Sequence, residues 1–182
     1  MGGNLSLSQW LSWVPLVSAL AATEAIQQTA AVSLSLKWPN DLLLHERKVG
    51  GILCESSVAT TNDPVVVIGI GLNVNVPPLS FPEELQSIAA SLVEASRQPI
   101  DRNRLIAQLL LELEQCLGEL RASGSVRLRQ AYTARCATLG RHVRVLFTND
   151  HPIVGIAEAL SVDGALQVRT VPPHPRSQPM PL

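Results

Sequence analysis

Leu36-Lys37-Trp38-Pro39-Asn40-Asp41-Leu42 opens three strand-like segments that continue through Gly50-Gly51-Ile52-Leu53 and end in Ile68-Gly69-Ile70-Gly71-Leu72-Asn73-Val74-Asn75. Each segment carries a glycine or a charged group where a plain strand would carry another valine. Val32 to Leu36 alternates apolar with polar residues, the period of a half-buried strand, and ends at Lys37. Pro39-Asn40-Asp41 reads as a turn into the short strand Leu42-Leu43-Leu44, and His45-Glu46-Arg47-Lys48 as a solvated hairpin tip. Val49 to Val58 is the returning strand, and Thr60-Thr61-Asn62-Asp63-Pro64 the next turn. Val65 to Val76, the most hydrophobic run, is predicted to be a central strand ended by Pro77-Pro78.

Working outward, Asn4 to Gln9 alternates Leu with Ser and predicts another strand. Val14 to Thr29 has good helix formers and few charges, so it predicts a covered helix with Pro15 in its first turn. Downstream, Glu83 to Arg97 and Arg102 to Ala122 carry apolar residues at helical spacing, with Asp101 as N-cap between them. Val126 to Thr138 reads as a further helix. After Gly140 come short strands, Val143 to Phe147, Ile153 to Leu160 and Ala165 to Val171, joined by Asn149-Asp150 and Asp163-Gly164 turns. Strands followed by helices predict an α+β fold, a mixed or antiparallel sheet covered by helices. The expected division is a main domain over 1–138, a small module over 139–171 and a disordered, proline-rich tail over 172–182.

Composition narrows the function classes. The chain has 182 residues, 46% of them hydrophobic, and a net charge of -1, which argues against disorder and against an extended nucleic-acid surface. Cys54, Cys116 and Cys136 are widely spaced and odd in number, as expected of reduced thiols in a cytoplasmic protein. The apolar run Trp10 to Ala22 lacks the basic flank of a signal peptide, since Lys37 is the first Lys or Arg. It is also shorter than the roughly 20 residues that span a bilayer. No membrane association is expected.

The polar residues inside these runs carry the chemistry. A lysine at a strand end is commonly solvated, yet Lys37 is followed by an indole, a stiff proline and two hydrogen-bonding side chains, a setting suited to an anionic ligand. Gly50-Gly51 inside a strand weakens it unless a bulge or a close approach to the backbone requires it; which glycine would touch a ligand depends on a register the sequence leaves open. Gly69-Ile70-Gly71-Leu72-Asn73 is too short for a dinucleotide fingerprint. Its glycines either admit packed helices or serve a ligand, and the Asn73 amide offers the donor and acceptor that an adenine edge uses. Asn75 reads as a strand-end cap. Glu55 reads as a salt-bridge residue, with a ligand or a magnesium ion as the alternative, and Arg141, His142 and Arg144 as a solvated basic cluster, with contact to an acidic partner domain or to phosphates as the alternative. No metal-ligand spacing is present.

In order and spacing, the K-W-P-N-D, G-G-I-L and G-I-G-x-N segments resemble the catalytic core of biotin protein ligases. That resemblance implies a fold like class II aminoacyl-tRNA synthetases, followed by a small SH3-like β-barrel. It implies ATP-dependent synthesis of biotinyl-5′-AMP and transfer of biotin to a lysine of a biotin carboxyl carrier protein, such as that of acetyl-CoA carboxylase. Biotin and ATP would be substrates, with Mg2+ accompanying the nucleotide. Carried over residue by residue, Lys37 is the catalytic cation that touches both biotin and the adenylate phosphate. Gly50, Gly51, Ile52 and Leu53 seat biotin with Lys37, and Trp38, Asn40 and Asn73 join Lys37 at ATP or the adenylate.

Family members also carry an upstream strand that holds biotin and a G-R-G-R-x-G-R loop that folds over the adenylate. Neither is found in this sequence, which has no arginine before Arg47. The expectation is an N-terminally truncated reading of a full ligase, with a shortened non-catalytic biotin- or carrier-binding homologue, or a lipoate-type ligase, as alternatives. A DNA-binding helix-turn-helix is not seen, so no DNA partner is expected. No sequence feature assigns an oligomeric state.

Overall fold

A computed structural model describes residues 5–57, 65–146 and 152–170. Helix α1 (Leu7–Ala30) starts at Ser6, whose Oγ accepts the Gln9 amide at 3.3 Å while Gln9 Oε1 accepts the Ser6 amide at 3.0 Å. This reciprocal capping box satisfies two otherwise free amides. It explains why the Leu-Ser alternation, which predicts a strand, is helical from Leu7 on. Pro15 lies inside α1 rather than in its first turn. Nearly every residue from Trp13 to Ile26 is buried, since α1 runs between helix α4 (Arg102–Ser123) and a sheet.

That sheet is four antiparallel strands in the order β1 (Ser35–Lys37), β2 (Asp41–Leu44), β3 (Arg47–Ser57) and β4 (Val65–Leu72). Leu36, Leu42 and Ile52 point to one face and merge with α1 in the hydrophobic core. The opposite face is largely open. β4 is an edge strand among the described residues, not a central one, and it ends at Leu72. Its hydrophobicity serves one face: Val66, Ile68, Ile70 and Leu72 are partly covered, whereas Val65 and Val67 are exposed beside Gly69 and Gly71.

The predicted helix over 83–97 is two short helices, α2 (Glu83–Gln86) and α3 (Leu92–Ser96). Between them the chain pairs with β3: Lys48 donates its amide to Ile88 O at 2.7 Å, and Ala90 donates to Lys48 O at 2.8 Å. Those ladder bonds outweigh a helical continuation. Ser91 restarts the helix with a capping box to Glu94. Helix α4, capped by Asp101, and α5 (Val126–Arg135) complete the helical layer.

The C-terminal strands β5 (His142–Val145), β6 (Ile153–Leu160) and β7 (Leu166–Thr170) form a separate antiparallel sheet. Among the described residues it has three strands and no closed barrel is seen. Its β6–β7 turn docks on the first part of the chain. The Trp13 indole donates to Val162 O at 2.8 Å, the Trp38 indole to Gly164 O at 3.0 Å, and the Ser12 hydroxyl to Asp163 O at 2.6 Å. The turns expected at 60–64 and 149–150 and the tail over 172–182 lie outside the described residues.

Candidate functional site

The strand register decides which side chains share the open face. Lys37 pairs with Asp41, Asp41 with Gly51, and Gly51 with Gly71, so these four form one cross-strand row. Leu53, Glu55 and Gly69 continue that face along β3 and β4, and Leu53 is 64% exposed. The result is a shallow floor of three glycines, rimmed by an ammonium, carboxylates and aliphatic side chains.

The alternation along β3 settles the glycine pair. Gly51 belongs to the open face, and a Cβ there would meet only the tip of Lys48 at 3.4 Å and a backbone oxygen at 3.6 Å. Gly50 faces inward, where a Cβ would stand 2.5 Å from Gly71 O and 2.7 Å from Leu72 Cδ2. Ile52 also points inward at 2% exposure. Both its backbone groups are taken, its amide donating to Asn40 O and its carbonyl accepting Asn40 Nδ2, each at 2.8 Å. The structure therefore brings Lys37, Gly51 and Leu53 together on the open face and puts Gly50 and Ile52 beneath it.

Other sequence-derived candidates hold structure locally. Asn40 ties the turn after β1 to β3 through those bonds. The Trp38 indole is committed to the β6–β7 turn, and its amide donates to Thr138 Oγ1 at 2.9 Å; the Trp38–Pro39 peptide is cis. Asn73 continues the β3–β4 ladder, its amide donating to Val49 O at 2.8 Å and its Nδ2 to Ala90 O at 3.1 Å. Its Oδ1 accepts from no described residue. Asn75, expected as a strand-end cap, clamps Ile100 by a reciprocal pair of 2.9 Å bonds.

Charge is concentrated at one end of the row. Lys37 Nζ is 3.8 Å from Asp41 Oδ2, and its side chain is 60% exposed. Lys48, expected to be solvated at the hairpin tip, is 54% exposed, and its side chain runs back over Gly51 to place Nζ 2.5 Å from Asp41 Oδ1. The sequence reading gave it no part in the site. A parity count was the available signal: Lys48 shares the phase of the buried Gly50 and Ile52, so an unbroken strand would bury its ammonium. Arg141, read as part of a solvated cluster, pairs with Glu46 at 2.5 Å. Lys37, Leu43, Thr138, Arg141 and His142 line a cavity of about 310 Å³ between this rim and the C-terminal module. A larger cavity, about 680 Å³, lies between Trp10 and Leu117 near the ends of α1 and α4. Arg121 is the one charged side chain in its lining and none of its lining residues belongs to the row, so the open face is the better candidate.

Comparison with known proteins agrees with this architecture. The model of the biotin/lipoate A/B protein ligase family matches residues 4–75, and that of the biotin protein ligase C terminal domain matches 138–171. The biotin--[acetyl-CoA-carboxylase] ligase of Mycobacterium tuberculosis is 36% identical over 166 residues, covering 90% of this chain and 58% of that protein. Its counterpart from Paracoccus denitrificans is 31% identical, covering 92% and 69%. The bifunctional ligase/repressor BirA of Bacillus subtilis is 32% identical, covering 85% and 47%. Among solved structures, the biotin protein ligase of Aquifex aeolicus superposes with a TM-score of 0.77 at 30% identity, covering 88% of this chain and 68% of that one. The same enzyme in complex with biotin and ATP gives 0.75 at 29% identity, covering 91% and 65%. The fold is thus the helix-covered antiparallel sheet of these ligases, and the chain belongs to the biotin protein ligase family. It spans about half the length of the first curated relatives it matches.

Proposed function

We propose that this chain acts in biotin–carrier-protein ligation. A biotin carboxylate oxygen attacks the α-phosphorus of ATP, the bond to the β-phosphate breaks, and pyrophosphate leaves. A lysine amine of a carrier domain then attacks the acyl carbon of biotinyl-5′-AMP, AMP leaves, and the amine loses a proton as the amide forms. The biotin carboxyl carrier protein of acetyl-CoA carboxylase is the carrier this reading favours. On this reading the reaction takes place in the cytoplasm.

The observation that carries the reading is the row Lys37–Asp41–Gly51–Gly71 on an open sheet face. The first step brings two anions together, and a fixed cation there stabilises the charge that gathers between them more than it stabilises the separated reactants. Lys37 is exposed enough to reach both. Gly51 leaves the backbone bare for a flat ring system, and Leu53 supplies apolar contact beside it. Gly50 and Ile52 act as support from below. In this reading Asn73 presents Oδ1 to the adenine amino group, while Trp38 and Asn40 shape the nucleotide side by holding the turn next to Lys37.

Mg2+ is usually bound through substrate phosphates and one or two carboxylates. Asp41, beside Lys37, is the carboxylate that would reach an ion arriving with the triphosphate, whereas Glu55 stands roughly 13 Å further along the same face, four residues beyond Gly51 on β3. Among the described residues no three His, Cys, Asp or Glu side chains converge into a metal cage.

Transfer of labelled biotin to a purified carrier domain tests the proposal. Lys37→Ala should lower the rate by about a hundredfold or more, the scale of losing one transition-state charge contact. A variant that folds and transfers label at the unmodified rate would remove Lys37 from the mechanism.

A further inference from the structure

We propose that residues 88–94, braced by the Arg47–Glu94 ion pair, fix the hydrogen-bond polarity of the Asn73 amide and so select a 6-aminopurine over a 6-oxopurine at the nucleotide side of the site. The inference rests on the reading that Asn73 faces the base, and it gives a specificity role to residues that reading does not use.

The first argument is topology. One edge of β3 is shared between two partners. β4 occupies it from Gly50 to Ser57, and at Lys48 residues 88–90 take it over, with Lys48 opposite Ala89 in a parallel bridge. Asn73 stands at that seam. Its backbone amide donates to Val49 O at 2.8 Å, while its Nδ2 crosses to Ala90 O at 3.1 Å. The side chain is therefore oriented by a carbonyl of another segment, not by its own strand.

The second argument is chemistry. A side-chain amide has one accepting end and one donating end. Ala90 O accepts, so Nδ2 is the end that can face it; the reversed amide would set Oδ1 against a carbonyl oxygen. With Nδ2 held, Oδ1 is the end left for a ligand, and it accepts from no described residue. An acceptor there matches the amino group of adenine and repels the carbonyl oxygen of hypoxanthine.

The third argument is rigidity, since the polarity lasts only while Ala90 O stays in place. Ala90 is fully buried, and its own amide donates to Lys48 O at 2.8 Å. The residues on either side of it are tied to one ion pair. Arg47 donates Nη1 to Ala89 O at 3.1 Å and Nη2 to Glu94 Oε2 at 2.6 Å, and Glu94 Oε1 accepts the Ser91 amide at 2.8 Å. The buried Ser91 hydroxyl lies 2.9 Å from Val74 O and 3.1 Å from Asn73 O, and it accepts the Val76 amide at 3.0 Å. Glu94 is 16% exposed, so this pair is better shielded from water than a surface ion pair.

Calorimetric titration of the intact chain with magnesium-ATP, magnesium-inosine triphosphate and biotin, each alone, tests the proposal. The unmodified chain should bind ATP about tenfold or more tighter than inosine triphosphate, the scale of setting one acceptor against another. Asn73→Ala should bring the two nucleotides within about twofold of each other. Glu94→Gln keeps an acceptor to cap Ser91 but loses the charge for Arg47. It should cut the ATP preference about threefold or more, chiefly by tightening inosine triphosphate, and leave biotin within about twofold. Arg47→Met, which leaves the cap intact, should do the same, and Arg47→Lys should recover part of the preference. A merely structural brace would weaken both nucleotides alike, and that result overturns the inference. So does an unchanged preference in folded Glu94→Gln and Arg47→Met variants. In either case, a preference that vanishes in Asn73→Ala leaves the adenine reading of Asn73 standing, whereas one that survives there overturns both. Equal binding of the two nucleotides by the unmodified chain, or binding of neither, also overturns the inference. A preference that depends on Asn73 and Glu94 without any biotin binding keeps the inference and overturns the ligase reading.

Discussion

At the scale of single residues, the Gly50-Gly51 pair shows how neighbouring identical residues acquire different duties. Gly50 is required by packing, because a Cβ there would lie 2.5 Å from Gly71 O, a backbone atom that moves only with its strand. Gly50→Ala should therefore destabilise the fold by about 1–3 kcal/mol, the usual cost of forcing a methyl group into a filled space. Gly51→Ala would meet only a flexible lysine tip, so its urea midpoint should stay close to that of the unmodified chain while biotin binding weakens. Urea titrations of both variants, beside calorimetry with biotin, check this. Equal stabilities, or a stability loss confined to Gly51→Ala, would mean the register is wrong. That Lys37, the glycine pair and Leu53 share one neighbourhood was legible from the sequence, because a charge and glycines interrupt aliphatic runs at fixed intervals; which glycine faces outward was not, since it depends on register. The placement of Lys48 over Gly51 was legible only in part: strand parity shows that an unbroken strand would bury its ammonium, but the register shift that avoids this is set by pairing with β2.

At the scale of elements, sequence periodicity located most strands and helices and failed where hydrogen bonding between distant segments intervened. Ser6 and Gln9 turned a strand-like alternation into a helix start through a reciprocal cap. Residues 88–90 gave up helical structure to pair with Lys48. The most apolar strand proved to be an edge, since its apolar residues are needed on one face alone. The helical layer adds a pH signature. The Cys116 thiol on α4 is pushed up from 9.0 to about 11, chiefly by burial and then by Glu112 and Glu119. Burial, reinforced by Cys136 and Asp41, likewise pushes Tyr132 on α5 above its usual range, and its hydroxyl reaches toward Pro39 O. Both groups are neutral when protonated, and the folded state holds their protons more tightly than the unfolded chain does. Their contribution is complete below about pH 9 and is lost as pH rises, because the unfolded chain ionises first. Urea midpoints should fall between pH 9 and 11, and the Cys116→Ala, Tyr132→Phe double variant should fall less. Parallel declines would assign the alkaline loss to other groups.

At the scale of the whole molecule, the two sheets are joined by a turn that two of the chain's three tryptophans grip. Trp13 and Trp38 come from different elements of the first part, yet their indole N–H groups donate to carbonyls two residues apart, Val162 and Gly164. The strand bearing Lys37 is held from the same side: Leu36 O accepts the Ala137 amide at 2.8 Å, and the Trp38 amide donates to Thr138. Docking of the C-terminal sheet and placement of the lysine are thus mechanically linked. Gly164 is the sensitive point, since it adopts φ +81° and a Cβ there would stand 2.7 Å from Leu16 Cδ1 and 3.4 Å from the Trp13 ring. Gly164→Ala should shift tryptophan emission to the red, lower the stability read from urea titration by about 1–3 kcal/mol, and slow biotin transfer although residue 164 lies off the glycine row. In the unmodified chain, unfolding followed by fluorescence and by far-ultraviolet circular dichroism should coincide, because the gripped turn makes the two sheets one cooperative unit. Two separate transitions, or a Gly164→Ala variant with unchanged emission and transfer rate, would show that the sheets fold and work independently of the clasp between them.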